Sequence, residues 1–346
     1  MIGPLLFLIY INDLEENIRS QIRFFADDTM LYSNVKDPKT SASNLNDDLE
    51  TIHLWAQHWK MEFNPDPTKQ ATEILFSTKN KPPYHPPLYF NGHTVSRVNE
   101  QKHLGLILDK KLSFKSHVDA KIIKTKKTIG MIKHLSKILP INTLILIYKS
   151  LVRPHFDYCD VIFHRPPAPN GVFDNVDNIG TLNALMAKIE RVQYQAALAI
   201  TDTWKGTSRS KLYNELGLES LTDRRSSNRV IQLFKIKNNF TPEYLRNKLT
   251  PPLIENIPNA NHNILEGKNP ITLRYKNSFF PNAISSWNNI ISNIEGNLSK
   301  SSIRSHILSI IRPKHKIWGL TNHRKTPQST TYDVDNIYTN YQKIKL

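Results

Sequence analysis

The stretch from Gln21 to Ser33 constrains the fold more than any other part of the chain. Two short apolar runs, Gln21–Ala26 and Thr29–Ser33, meet at the adjacent carboxylates Asp27 and Asp28. Runs of this length and composition read as strands, so the pair predicts a hairpin. Along one extended strand neighbouring side chains point to opposite faces; at a tight turn both carboxylates can approach one site. Held close together they repel unless a divalent cation lies between them, and hard oxygen ligands suit Mg²⁺. From these residues alone, an ordinary Asp-rich solvent turn is the favoured reading.

The rest of the pattern sets the fold class. Leu45, Leu49, Ile52, Ala56, Trp59 and Phe63 step by four and three, the helical period, with Pro38 and Thr40 or Ser41 placed to start the helix. Trp59 follows the buried stripe and reads as core; Trp55 flanks it. Glu73–Ser77 and His103–Leu108 read as further strands. Phe114–Leu139 is helical, with Val118, Ile122, Ile129 and Leu135 on one stripe; Thr143–Val152 and Leu182–Thr201 are further helices. Strands with one helix, followed by mostly helices, predict an α+β domain and then a helical one. Pro- and Asn-rich residues from Arg165 onward predict a linker over 166–181, and 321–346, poor in apolar pattern, predicts a flexible tail.

Charge divides the chain at nearly the same place. The whole sequence carries 46 Lys+Arg against 30 Asp+Glu, a net of +16. Residues 1–110 carry 11 basic against 14 acidic side chains, residues 111–165 carry 11 against 3, and the remainder is basic. An acidic front part that can hold metal is followed by a part suited to phosphates. Cys159 is the one cysteine, which excludes an intrachain disulfide and a thiolate zinc cluster, and it reads as a small buried side chain. The apolar run Pro4–Ile11 is far shorter than the ~20 residues a spanning helix needs, and no secretory leader pattern is visible. The expectation is an intracellular, soluble chain with no membrane partner. Lys121, Lys124, Lys126, Lys127 and Lys133, in a helix with few acidic partners, are candidates for phosphate contact; a lysine-rich helix also reads as a solvated face.

Several segments in order carry a resemblance. They are Gly3-Pro4-Leu5-Leu6-Phe7-Leu8-Ile9-Tyr10-Ile11-Asn12-Asp13-Leu14, Phe24-Phe25-Ala26-Asp27-Asp28-Thr29, Trp59-Lys60-Met61-Glu62-Phe63-Asn64-Pro65 and Lys102-His103-Leu104-Gly105-Leu106-Ile107-Leu108-Asp109. Together they resemble the later palm motifs of reverse transcriptases from non-LTR retrotransposons of the jockey-like and chicken-repeat-like groups. Leu151–Cys159 looks like the thumb region. Ala196–Thr201, Thr207-Ser208-Arg209, Glu215–Leu221 and Asn277–Pro281 look like the region after the polymerase.

The resemblance implies a partial palm over 1–110, a thumb-like region over 111–165 and a basic helical region over 182–320. It implies an RNA template and a DNA primer as partners, with deoxynucleotides as substrates. It gives Asp27 and Asp28 to catalytic Mg²⁺, or Mn²⁺ in its place. Gly105, on a strand, would form part of the primer grip or a simple bulge. Lys69 would donate a proton to pyrophosphate, although it stands in a longer stretch than the family's and reads equally as a surface lysine. The family's fingers and a further metal-binding Asp precede the motif at Gly3-Pro4, so the chain is expected to be a C-terminal portion, inactive alone. A non-catalytic nucleic-acid-binding relic, and an aggregating fragment without function, are the alternatives. Cytoplasm and nucleus are implied by the family alone.

Overall fold

A computed structural model describes residues 2–61, 63, 71–77, 79, 81–82, 84–164, 179–249, 265–266 and 273–292. Lys69, residues 166–178 of the expected linker and the expected tail 321–346 lie outside these. The chain divides into one unit spanning Met1–Asn297 and another spanning Leu298–Leu346, and the described residues all belong to the first.

Helix α1 (Ile2–Ile11) leads through a 3₁₀ turn, Asn12–Glu15, into the hairpin of β1 (Gln21–Phe25) and β2 (Asp28–Tyr32). The strands run antiparallel, Gln21 opposite Tyr32 and Phe25 opposite Asp28. Helix α2 (Pro38–His58) begins at Asp37, whose carboxylate accepts the Thr40 N–H at 2.8 Å, with Pro38 pre-setting the first helical φ. The cap is thus Asp37, one turn earlier than Thr40 or Ser41, and Ser41 is buried instead. Ile52 of α2 packs with Ile11, Leu14 and Ile22, and Phe7, Phe24, Leu31 and Trp55 add to that cluster. Each such buried aliphatic side chain contributes about 1.5–3 kcal/mol. Trp59 departs from its expected place in the core. The helix ends at His58, so the apolar stripe outlasts it and Trp59 is 38% exposed.

Short strands follow: β3 (Thr72–Glu73), β4 (Tyr89–Phe90), β5 (His93–Thr94), β6 (Ser96–Arg97), β7 (Glu100–His103) and β8 (Leu106–Asp109). Strand β3 pairs parallel with β6, whereas β4–β5 and β7–β8 are antiparallel. With β1–β2, the described strands form four two-stranded sheets. The stretch expected as one strand over His103–Leu108 is instead a hairpin, because Leu104 (φ +45°) and Gly105 (φ +81°) reverse the chain. Positive φ at both central residues is what a primed two-residue turn requires, and glycine supplies it without a Cβ penalty.

The remainder is helical: α3 (Lys115–Leu135), α4 (Ile141–Ile147) running into a π-turn segment Tyr148–Val152, α5 (Pro154–Asp157), α6 (Asp160–Phe163), α7 (Ile179–Thr201), α8 (Arg209–Leu216), α9 (Leu221–Lys237), α10 (Glu243–Arg246), α11 (Leu273–Lys276) and α12 (Phe279–Ser292). Mixed helix and short sheet make the chain α+β. A single core runs from Leu106 of β8 through Val118, Ile122, Ile129 and Ile132 of α3 to Ile189, Val192 and Ala196 of α7 and on to Leu221. Several polar groups packed against it are paired across elements. The Tyr148 hydroxyl donates to Gln193 at 2.5 Å, and Gln193 donates to the Glu219 carbonyl at 2.9 Å. Arg224 of α9 meets Asp157 of α5 with Nε and Nη2 at 2.9–3.0 Å, and Glu219 with Nη1 at 2.8 Å. None of the described helices is long and apolar enough to cross a membrane.

Candidate functional site

Asp27 and Asp28 stand at the tip of the β1–β2 hairpin. Ala26 and Asp27 make the turn, and Asp28 opens β2 opposite Phe25. Ala26 has φ +52°, a conformation in which a Cβ is disfavoured. Both aspartates are exposed, and neither carboxylate has a hydrogen-bond or ion-pair partner among the described residues. Their four oxygens are therefore available to a hard cation.

The contrast with a second Asp-Asp pair is direct. Asp48 is 1% exposed and accepts the Arg19 and Ser20 N–H groups at 2.8 and 2.9 Å, while Asp47 pairs with Arg19 Nη1 at 3.2 Å. That pair anchors the entry of β1 to α2. Asp13, before the hairpin, accepts the Trp55 indole N–H at 3.0 Å. Two carboxylates of the right chemistry thus remain uncommitted at the hairpin tip. Among the described residues no group of three or more His, Cys, Asp or Glu gathers there or elsewhere.

The second focus lies on hairpin β7–β8 and helix α3. Gly105 is in the turn, not on a strand, which corrects its expected setting. A Cβ at that position would come 3.3 Å from the Tyr158 ring, so the turn and the tyrosine are in close approach. The Tyr158 hydroxyl donates to the Leu104 carbonyl. Lys121 Nζ sits 5.5 Å from the centre of the same ring, within cation–π range. Burial, followed by the neighbouring Lys124 and Lys102, pushes the Lys121 ammonium below its ordinary pKa. His155 is lowered in the same way, by burial and then by Lys124 and Lys121.

Gly105 and Lys121 are therefore brought together around Tyr158, with Lys124 close enough to Lys121 to act on its charge. Lys102, His155 and Tyr158 itself join them, and sequence reading did not assign these three to a site. Tyr158 could have been found only through the fold, since it reaches Leu104 across 54 positions. Lys124, Lys126, Lys127 and Lys133 are exposed on α3. Lys133 is twelve residues from Lys121, about 18 Å along the helix axis, and belongs to a different part of its surface. The site expected at Lys69 falls outside the described residues.

An acidic hairpin tip and a cationic cluster around a glycine turn suit divalent cations and phosphates respectively. The sequence is 27% identical over 169 residues to a probable RNA-directed DNA polymerase from transposon X-element of Drosophila melanogaster, covering 46% of this chain and 18% of that protein. It is 26% identical over 172 residues to the RNA-directed DNA polymerase from mobile element jockey of the same organism, again 46% and 18%. A third, the probable RNA-directed DNA polymerase from transposon BS, matches at 27% over 128 residues, covering 35% of this chain and 14% of that protein. The matched stretch spans less than a fifth of the length of these relatives. No family model matches the chain, and no solved structure does.

Proposed function

We propose that this chain forms part of an RNA-directed DNA polymerase of a non-LTR retrotransposon, a reading that grows out of its similarity to the X-element, jockey and BS polymerases. That similarity, across nearly half of the chain, is the observation that carries the reading. Residues 1–110 would supply part of the palm, 111–165 a thumb, and 182–320 a basic extension. Asp27 and Asp28 would hold Mg²⁺, or Mn²⁺ in its place. Bound there, the metal would lower the pKa of a primer 3′ hydroxyl and stabilise the leaving pyrophosphate.

The chain's own residues contribute position and charge. Lys121, Lys124 and Lys127 would meet the backbone of the RNA template or DNA primer. The Gly105 turn would let main chain approach the strand closely. Lys69 would act as proton donor to pyrophosphate. A two-metal site needs more carboxylate than this hairpin supplies, so the 346 residues by themselves are expected not to extend a primer. Such an enzyme would meet its RNA in the cytoplasm and its target DNA in the nucleus.

The test is RNA-templated primer extension by the complete product of the reading frame. Extension that falls to background in Asp27→Asn supports the assignment; full activity in that variant overturns it. A second reading, nucleic-acid binding without catalysis, is favoured by the cationic cluster, which involves neither aspartate. It predicts binding that survives Asp27→Asn and Asp28→Asn.

A further inference from the structure

We propose that the loop between α7 and α8, with the pocket beside it, is a binding site for a single nucleic-acid strand, Trp204 stacking on a base and Arg209 taking an adjoining phosphate. The inference rests on the nucleic-acid reading above and adds a second contact region, far in sequence from the lysines of α3.

Trp204 is 78% exposed, unusual for the side chain with most to gain from burial. Its ring is nevertheless placed. It lies against Gly206, where a Cβ would come within 3.0 Å of the indole, and Gly206 has φ +113°. Only glycine allows both the backbone and the ring position. The loop is tied to α7 by Tyr194, whose hydroxyl donates to the Thr207 carbonyl at 2.7 Å and accepts the Gly206 N–H at 3.4 Å. Arg209 Cζ stands 5.6 Å from the centre of the Tyr194 ring.

Beside the loop is an open pocket of about 780 Å³ whose wall includes Arg209 and the hydroxyl-bearing Thr207, Ser208, Ser210 and Thr222. Glu190 also lines it. Its two oxygens are engaged by the Tyr213 hydroxyl at 2.9 Å and the Leu221 N–H at 3.0 Å, so that carboxylate is occupied within the fold. An exposed, positioned indole, the exposed Lys205 and Arg209, and a cluster of hydroxyls combine a stacking surface with a phosphate-binding wall. Stacking needs an unpaired base, which selects a single strand over a duplex.

The test is fluorescence anisotropy of the 346-residue chain with a labelled oligo-uridine and with an abasic strand of equal length. Trp204→Ala is expected to weaken oligo-uridine binding roughly 5- to 150-fold and to leave abasic binding unchanged. Arg209→Gln is expected to flatten the slope of log K against log salt by about 0.7 for both strands. Gly206→Ala, which displaces the indole, should reproduce the Trp204→Ala loss. Wild-type affinity in Trp204→Ala, or an equal loss on the abasic strand, overturns the proposal. So does displacement of the strand by inorganic phosphate at matching concentration, which would make the pocket a free-anion site. If Lys124→Gln weakens binding while Trp204→Ala does not, the loop assignment fails and the nucleic-acid reading stands. If the wild-type chain binds neither strand, both fall.

Discussion

Acidification should unfold this protein through two buried histidines before its carboxylates are fully protonated. His117 on α3 is fully buried, and its Nδ1 accepts the Ile107 N–H of β8 at 3.3 Å. That lone pair exists only in the neutral ring. Burial, with Lys121 adding to it, lowers the pKa from 6.5 to about 4. His164, 1% exposed, is lowered from 6.5 to about 2 by burial and by the guanidinium groups of Arg225 and Arg229. In both cases the unfolded chain takes up the proton first. The contribution is therefore intact above pH 6.5 and is lost as pH falls toward the folded value.

Between about pH 6 and pH 5 each histidine should cost about 1.4 kcal/mol per pH unit. From about pH 7 to about pH 4 the loss is about 3 kcal/mol each, about 6 together. That is comparable to the whole stability of many domains. Urea unfolding across this range measures it. His117→Gln keeps an acceptor for Ile107 and removes the titration, so about half of the fall should disappear. If the pH slope is unchanged in both His117→Gln and His164→Gln, the histidines are not the cause.

Three further outcomes follow from the geometry. Asp48→Ala leaves the part-buried Arg19 and Ser20 N–H groups without their carboxylate acceptor and should cost about 1–3 kcal/mol in a urea melt. Gly105→Ala meets Tyr158 at 3.3 Å in a positive-φ turn; it should lower stability by at least about 1 kcal/mol, read as a drop in melting temperature. Lys124→Gln with Lys127→Gln should weaken binding to an RNA–DNA hybrid and reduce the salt slope by about 0.9 for each phosphate left without its lysine.

The sequence made the acidic hairpin legible because local pattern decides it: two apolar runs and a pair of polar residues leave few other folds. That Asp48 is tied down by the N–H groups of Arg19 and Ser20, 29 and 28 positions away, is visible only in the fold. The β7–β8 hairpin was hidden because Leu104 is not a turn-forming residue; its carbonyl is satisfied by Tyr158, far along the chain. Trp59 misled through a helical stripe that continued beyond the helix end at His58. Lys121 looked like its neighbours on α3, yet its ammonium is half-buried against the Tyr158 ring. Thr207-Ser208-Arg209 stood out as a motif, but only the fold places it beside Trp204 and a pocket.

Whether the hairpin carboxylates are metal ligands or solvent-turn residues decides the proposed function. Paramagnetic broadening by Mn²⁺ answers this on the chain itself, without any need for activity. Broadening centred on the backbone amides of Phe25–Thr29, absent around Asp47-Asp48 and abolished in Asp27→Asn, is the expected outcome for metal ligands. Broadening that is equal at the two aspartate pairs, or that persists in Asp27→Asn, would make the hairpin tip an ordinary solvent turn.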